Sequence, residues 1–207
     1  MNYKLHKLDI QIHNRQHISR DDVCAYLLEK ESEGYSASDA NNLIYNFKKP
    51  VNRKGLPDWK YKAKAIKTIS EMINNITFPS CIVVPAPTSN PRNSANWDSR
   101  IDQVVDSIVT EAITVEKILD VNSSVTPAHL GGSRDIDSIK AQTICYELKN
   151  TAMVDTIIIV DDVLTTGAHF KAWKELILET YPSIKKVYGL FFALHVWKDI
   201  EVSEIKF

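Results

Sequence analysis

The chain is poor in the residues that would mark several common functions. Of its 207 residues only three are cysteine, Cys24, Cys81 and Cys145. They are far apart, odd in number and in no paired metal-ligand spacing, which argues against a disulfide framework and fits a reducing cytosol. Six histidines are present, and only His13 and His17 stand at helical spacing. No Cys, Asp or Glu constellation joins them, so a structural metal centre is not expected. Long apolar runs are missing too. The longest, Val187 to Trp197, is broken by Gly189 and His195 and is too short to cross a bilayer as a helix. The opening MNYKLHKLDIQIH carries charge where a signal peptide has its apolar region, so the expected location is cytoplasmic, with no membrane partner. Net charge is only −1, which gives no global attraction to nucleic acid.

What is present is an ample core-forming fraction, 44% hydrophobic residues, in a chain long enough for one large domain or a domain with an appendage. Charge is unevenly spread: residues 1 to 70 hold 13 Lys and Arg against 8 Asp and Glu, whereas residues 71 to 207 hold 12 against 18. Most of the basic excess lies between Lys48 and Lys67, around the single acid Asp58. With Trp59 and Tyr61 this stretch resembles a nucleic-acid or partner contact, and an ordinary solvated helix face is the competing reading.

Periodicity gives the order of elements. Lys4 to His13 alternates as a strand does. Ser19 with Asp22 resembles a helix start, with Val23, Tyr26 and Leu27 at helical spacing up to Glu33 and Gly34. A second helix is expected from Ser36 or Ser38 through Phe47, stopped by Pro50. The two together form a helical cap, or less readily a helix-turn-helix whose second helix begins acidic and lacks a basic face. After the connection 50–58 come a helix over 59–73, a buried strand over 80–85, a helix over 99–112, a long loop over 122–140 and a helix over 141–150. Thr156 to Val160 is an unbroken β-branched and apolar run, as in a central parallel strand, followed by a helix over 168–181 and a strand over 186–195. Strands alternating with helices from residue 80 onward indicate an α/β fold with a mainly parallel sheet flanked by helices. The expected division is an N-terminal cap segment, 1–58, and a core, 59–207.

The chemistry concentrates in Asp161 to His169, DDVLTTGAH, between that strand and its helix. In open α/β sheets ligands bind beyond the carboxyl ends of strands, where Asp161 and Asp162 are expected. Adjacent side chains on extended backbone point to opposite sides, so the two carboxylates should do different jobs around a sugar, accepting from separate hydroxyls or holding a metal-bound water. Thr165, Thr166, Gly167, Ala168 and His169 offer hydroxyls and backbone N–H groups at a helix N-terminus, where the dipole favours a phosphate. The loop lacks the Gly-Lys-Ser/Thr ending of a Walker A loop, and the glycines are too few for a dinucleotide fingerprint. Either half alone does no more than end a strand or cap a helix.

In this order after an apolar strand, the two halves resemble the diphosphoribosyl-binding motif of type I phosphoribosyltransferases. Leu43 to Lys49 (LIYNFKK), the Pro85-Ala86-Pro87 turn, Asp102-Gln103 and Ala141-Gln142 resemble the competence-associated, amidophosphoribosyltransferase-like branch of that family. The resemblance implies phosphoribosyl diphosphate as ligand, Mg²⁺ as cofactor, and Asp161 and Asp162 as catalytic residues that also hold the metal, directly or through water. Thr165 to His169 would then bind the 5-phosphate. The loop Ala86, Pro87, Thr88, Ser89 to Asn90 would take the pyrophosphate, with Arg92 and Arg100 as charge partners. Residues 122–140 would form a flexible hood with Ser133, Arg134 and Lys140 closing over the leaving group. Hood residues in the family often come from a neighbouring subunit, so a homodimer is implied as an option. Thr165 stands where 6-oxopurine enzymes of the family place an aspartate that helps deprotonate the base, and a threonine has no such basicity at neutral pH. The expected activity is therefore phosphoribosyl transfer to another base or an amine, with pyrophosphate release. A ligand-sensing regulator of the same fold, or an interaction module, is the alternative.

Overall fold

The structure is a computed structural model that describes residues 3–32, 34, 36–125, 135–149 and 154–197. In chain order the elements are β1 (His6–Lys7), β2 (Cys24–Glu31), α1 (Asp39–Phe47), a 3₁₀ turn (Val51–Arg53), α2 (Trp59–Asn74), β3 (Cys81–Pro85), α3 (Arg100–Asp106) and β4 (Ile113–Val115). Then follow β5 (Leu119–Val121), α4 (Ile136–Gln142), β6 (Thr143–Cys145), β7 (Thr156–Leu164), α5 (Ala168–Thr180) and β8 (Lys186–Val196). One six-stranded sheet runs in the order β1-β2-β8-β7-β3-β4. Its pairs are parallel except β1 with β2. The short strands β5 and β6 form a separate antiparallel pair.

The central strands are those with no polar alternation. All five residues of β3 are buried, as are Thr156 to Val160 of β7, because helices cover both faces. On one face α1, α2 and α3 pack together, and on the other α4 packs on α5. Helix α2 buries Lys62, Ala65, Ile69, Met72 and Ile73 along one side, a three-and-four spacing that makes a single stripe. Helix α5 comes close to β8 at Gly189, where a Cβ would meet the Phe170 ring at 3.1 Å. The mainly parallel α/β architecture expected from the strand and helix alternation is therefore the one observed.

Several local expectations are corrected. The helix expected from Ser19 to Glu33 is strand β2, which pairs in parallel with β8 from Cys24↔Gly189 to Glu31↔Val196. Cys24, Tyr26, Leu27 and Leu28 are all buried, and so short an apolar run fits a helix face and a two-sided strand equally. The helix-turn-helix alternative falls with it. Ser19 and Asp22 do make the expected turn, both the N–H and the hydroxyl of Ser19 donating to Asp22 Oδ2 at 2.8 and 2.9 Å, but a strand follows. Because β2 lies inside the sheet, the segment 1–58 is not a separate cap; it shares one core with residues 59–207. The expected strand over 4–13 reduces to His6–Lys7.

The helix over 99–112 ends at Asp106, and Ile113–Val115 adds an edge strand to β3. Of the long loop expected over 122–140, residues 126–134 lie outside the described residues, and Ile136 to Lys140 belong to helix α4, which the Asp135 side chain caps by accepting from the Ser138 N–H. The helix expected over 141–150 is displaced: α4 stops at Gln142, and the β-branched Thr143 and Ile144 enter β6.

Candidate functional site

The crevice lies between β7 and the loop after β3. The chain leaves β3 toward β4 on one side and β7 toward β8 on the other, so these adjacent strands form the switch point at which open α/β sheets bind ligands. Pairing between them ends at Pro85↔Val160, and the Ala86 N–H donates to Val160 O at 2.9 Å. The Pro85-Ala86-Pro87 turn therefore begins beside the residue that precedes Asp161. On its other edge β7 stays paired with the longer β8 as far as Leu164↔Leu194. Asp161 and Asp162 thus lie within the strand, not beyond its end as expected, with one edge open to the crevice.

The alternation of side chains gives the acids unlike surroundings. Asp161 is paired in register with Phe191, whose ring packs against Phe170 of α5. Asp162 points to the opposite face, toward α1 and α3. Its Oδ1 is 3.0 Å from Lys48 Nζ and its Oδ2 is 2.6 Å from Arg100 Nη2. Burial opposes the Asp162 charge, but Lys48 and Arg100 overcome it and hold the carboxyl well below the usual range. Asp161 is moved the other way, upward, by burial first and then by the neighbouring Asp162 charge. Its Oδ1 accepts the Asp162 N–H at 2.7 Å.

Arg100 does not extend into the crevice as a pyrophosphate partner. It also contacts Asp98 at 2.7 Å, and Asp98 in turn holds Lys62 at 2.7 Å. Lys62, 2% exposed, donates to the carbonyls of Phe47 and Lys49 at the end of α1 at 2.9 and 2.8 Å. Arg92 is likewise structural: it pairs with Asp102 at 3.2 Å and donates to Leu119 O. The basic stretch is largely paired within the chain, since Lys49 and Arg53 both meet Asp58, at 3.0 and 2.9 Å.

The residues expected to bind the 5-phosphate lie in the turn between β7 and α5. Gly167 is left-handed, φ +86°, and opens α5, whose own bonding begins with Lys171 N–H to Gly167 O at 2.9 Å. The N–H groups ahead of that bond are those a helix leaves to a cap or a ligand. The Ala168 N–H is near Thr166 Oγ1, at 3.5 Å. Thr165, Thr166 and His169 are partly exposed, and His169 lies 5.3 Å from the Trp173 ring.

A segment that the sequence does not reveal as part of the site presses on this loop. His17 N–H donates to Thr166 O at 3.0 Å, and Ile18 packs against Gly167. Arg15 donates to His195 O at 2.6 Å and covers the Trp197 ring at 4.5 Å. Asp22 is held by Lys174 and Lys171 of α5, at 2.7 and 3.1 Å. Residues 15–22 thus form a strap across β8 and the start of α5.

The loop expected to take pyrophosphate is partly exposed from Pro87 to Asn90. It is braced from the start of the expected hood, by Val125 N–H to Ser89 O and Ser124 Oγ to Asn90 Oδ1, each 2.8 Å. Among the described residues Thr88 Oγ1 reaches only its own turn, at Asn90 O, 3.5 Å. Of the hood residues, Ser133 and Arg134 lie outside the described residues. Lys140 does not point at the crevice: it is on α4, paired with Glu179 at 2.6 Å and Glu175 at 3.8 Å on α5. An open cleft of about 310 Å³ between Arg92, Asn93 and the β5–β6 pair is lined by none of the motif residues.

No helix among the described residues is long and apolar enough to cross a membrane. No family model matches the sequence, and no curated protein does. Among solved structures, a hypoxanthine phosphoribosyltransferase from Staphylococcus aureus in a tetragonal crystal form is similar at 11% identity and TM-score 0.38, over 68% of this chain and 80% of that one. Its orthorhombic form gives 13% identity and TM-score 0.36, over 66% of each chain. Likeness at this level leaves the chemistry of the site to be read from its own residues.

Proposed function

We propose that the crevice binds the ribose 5-phosphate unit of phosphoribosyl diphosphate and that the protein transfers the phosphoribosyl group to a base or an amine. The observation that carries this reading is the placement of Asp161 to His169. An acid pair on the open edge of β7 is followed at once by a threonine-rich turn at the start of α5, across from the loop that leaves β3 at Ala86. In the transfer the acceptor's lone pair bonds the anomeric carbon and the bond from that carbon to pyrophosphate breaks. Pyrophosphate leaves with the electron pair, and the acceptor gives up a proton. The sugar gains positive charge on the way, so a carboxylate beside it is stabilising, and the phosphate turn fixes the ring.

Mg²⁺ fits this site as a ligand-borne ion. No group of three or more His, Cys, Asp or Glu converges among the described residues, and both Asp162 oxygens already face cations. Asp161 is the carboxylate left for a metal-bound water, which suits an ion that keeps several waters and binds phosphate oxygens. Bound there, Mg²⁺ would neutralise the leaving diphosphate. Thr88 and Ser89 are the donors proposed for that group.

Thr165 disfavours a 6-oxopurine acceptor, since it offers no base at neutral pH. The likeness of LIYNFKK to the amidophosphoribosyltransferase-like branch favours an amine, and this run includes Lys48, which touches Asp162. Pyrophosphate release from phosphoribosyl diphosphate with Mg²⁺, across a panel of bases and amines, is the test. Turnover that is lost in the Asp161→Asn, Asp162→Asn double variant supports transfer. Binding without turnover would make the protein a sensor of the ligand, and no binding would end both readings.

A further inference from the structure

We infer that the two acids divide the work: Asp161 is the one that accepts from the sugar hydroxyls, and Asp162 is a buried positioning residue whose oxygens are committed to Lys48 and Arg100. The inference rests on the sugar-phosphate reading above and goes beyond it in assigning different roles to adjacent carboxylates. The Asp162 side chain is only 7% exposed, and each oxygen faces a cation, at 3.0 and 2.6 Å. Each oxygen keeps a second lone pair, but in a side chain this buried a sugar hydroxyl could reach it only by displacing Lys48 or Arg100, whose charge-assisted bonds are roughly twice as strong as the one it offers. Asp161 forms no ion pair among the described residues, and Lys48 and Arg100 act on it only at longer range. Its single bond, to the Asp162 N–H, uses Oδ1 and leaves Oδ2.

The pairs form a ring. Lys48 at the end of α1 holds Asp162, Asp162 holds Arg100 at the start of α3, Arg100 holds Asp98, and Asp98 holds Lys62 of α2. Lys62 returns to the end of α1 through Phe47 O and Lys49 O. Three helices are thereby fixed to β7 at one residue, and the backbone that carries Asp161 into the crevice is fixed with them. Removing one partner leaves a buried charge, whereas removing both members of the Asp162 and Arg100 pair does not. Asp98 keeps Lys62, and Lys48, 36% exposed, is solvated.

The test is calorimetry of the full chain with ribose 5-phosphate as probe, alongside thermal melting. Asp161→Asn is expected to weaken binding about tenfold or more with little change in melting. Asp162→Asn is expected to lower the melting temperature and weaken binding. Adding Arg100→Met to Asp162→Asn should restore the melting temperature and bring affinity back to within about threefold of the parent. A direct role in binding predicts otherwise, and the inference is overturned if the double variant melts like the parent yet binds as weakly as Asp162→Asn. It is also overturned if Asp162→Asn loses binding with unchanged melting. Should the parent not bind ribose 5-phosphate, the sugar-phosphate reading fails, and Asp161 loses its assigned role. The positioning role of Asp162 would then stand or fall on whether the double variant recovers the melting lost in the single one.

Discussion

Ile18 Cδ1 lies 2.5 Å from the point where a Cβ on Gly167 would stand. The strap and the turn before α5 are in contact because residue 167 has no side chain, and the turn itself has φ +86° there, a conformation that costs an L-residue about 1–2 kcal/mol. Gly167→Ala is therefore expected to destabilise the protein by about 1–3 kcal/mol, from strain and contact together, and to weaken sugar-phosphate binding. Adding Ile18→Ala should recover only the part due to contact. Thermal melting of the two variants checks this; full recovery would mean that the backbone conformation costs nothing.

The strap's attachment to α5 carries a pH dependence. Burial opposes the charge of Asp22, but Lys174, Ser19 and Lys171 outweigh it and lower its pKa to about 2. A carboxyl whose folded pKa is depressed contributes stability above its unfolded value, near 4, and loses it as pH falls through the folded value. The contribution at neutral pH is about 2 kcal/mol on that basis. The melting difference between the parent and Asp22→Asn should be large at pH 7 and should narrow between about pH 4 and pH 2. A difference independent of pH would show that the ion pairs contribute little.

The fold class and the motif were legible in the sequence because they depend on local signals: a β-branched run for β7, a proline turn after β3, and a Thr-Thr-Gly turn before α5. What was not legible depends on distant partners. Strand β2 looks helical over Val23, Tyr26 and Leu27 and is a strand only because β8 offers it an edge. The commitment of Arg100 to Asp162 spans 62 positions, and the contact of the strap with Thr166 far more. Lys140 stood in a polar stretch that reads as loop until Glu175 and Glu179 fix α4 against α5.

Burial also separates the lysines of the basic stretch. Lys62→Met removes one of the two cations that hold the partly buried Asp98 and leaves the carbonyls of Phe47 and Lys49 without their donor, and a loss of about 2–4 kcal/mol is expected. Lys60→Gln with Lys64→Gln, both on exposed positions, should stay within about 0.5 kcal/mol of the parent. Since Lys48, Lys49, Arg53 and Lys62 are internally paired, no retention on nucleic acid is expected even at low salt. Salt-sensitive retention lost in the Lys60 and Lys64 variant would contradict this.

The phosphate-binding role proposed for the turn before α5 can be probed apart from the acids. Thr166→Ala removes a hydroxyl at the start of α5 and is expected to weaken ribose 5-phosphate binding about tenfold, the cost of one hydrogen bond to a charged group. Unchanged affinity, measured by calorimetry, would place the phosphate elsewhere.

The central claim is that Asp161 to His169 receives a ribose 5-phosphate unit, and calorimetric titration with phosphoribosyl diphosphate and Mg²⁺ tests it most directly. Saturable binding at one ligand per chain, weakened by about tenfold or more in Asp161→Asn, is the predicted result. Absence of binding, or binding that Asp161→Asn and Thr166→Ala leave unchanged, would contradict it.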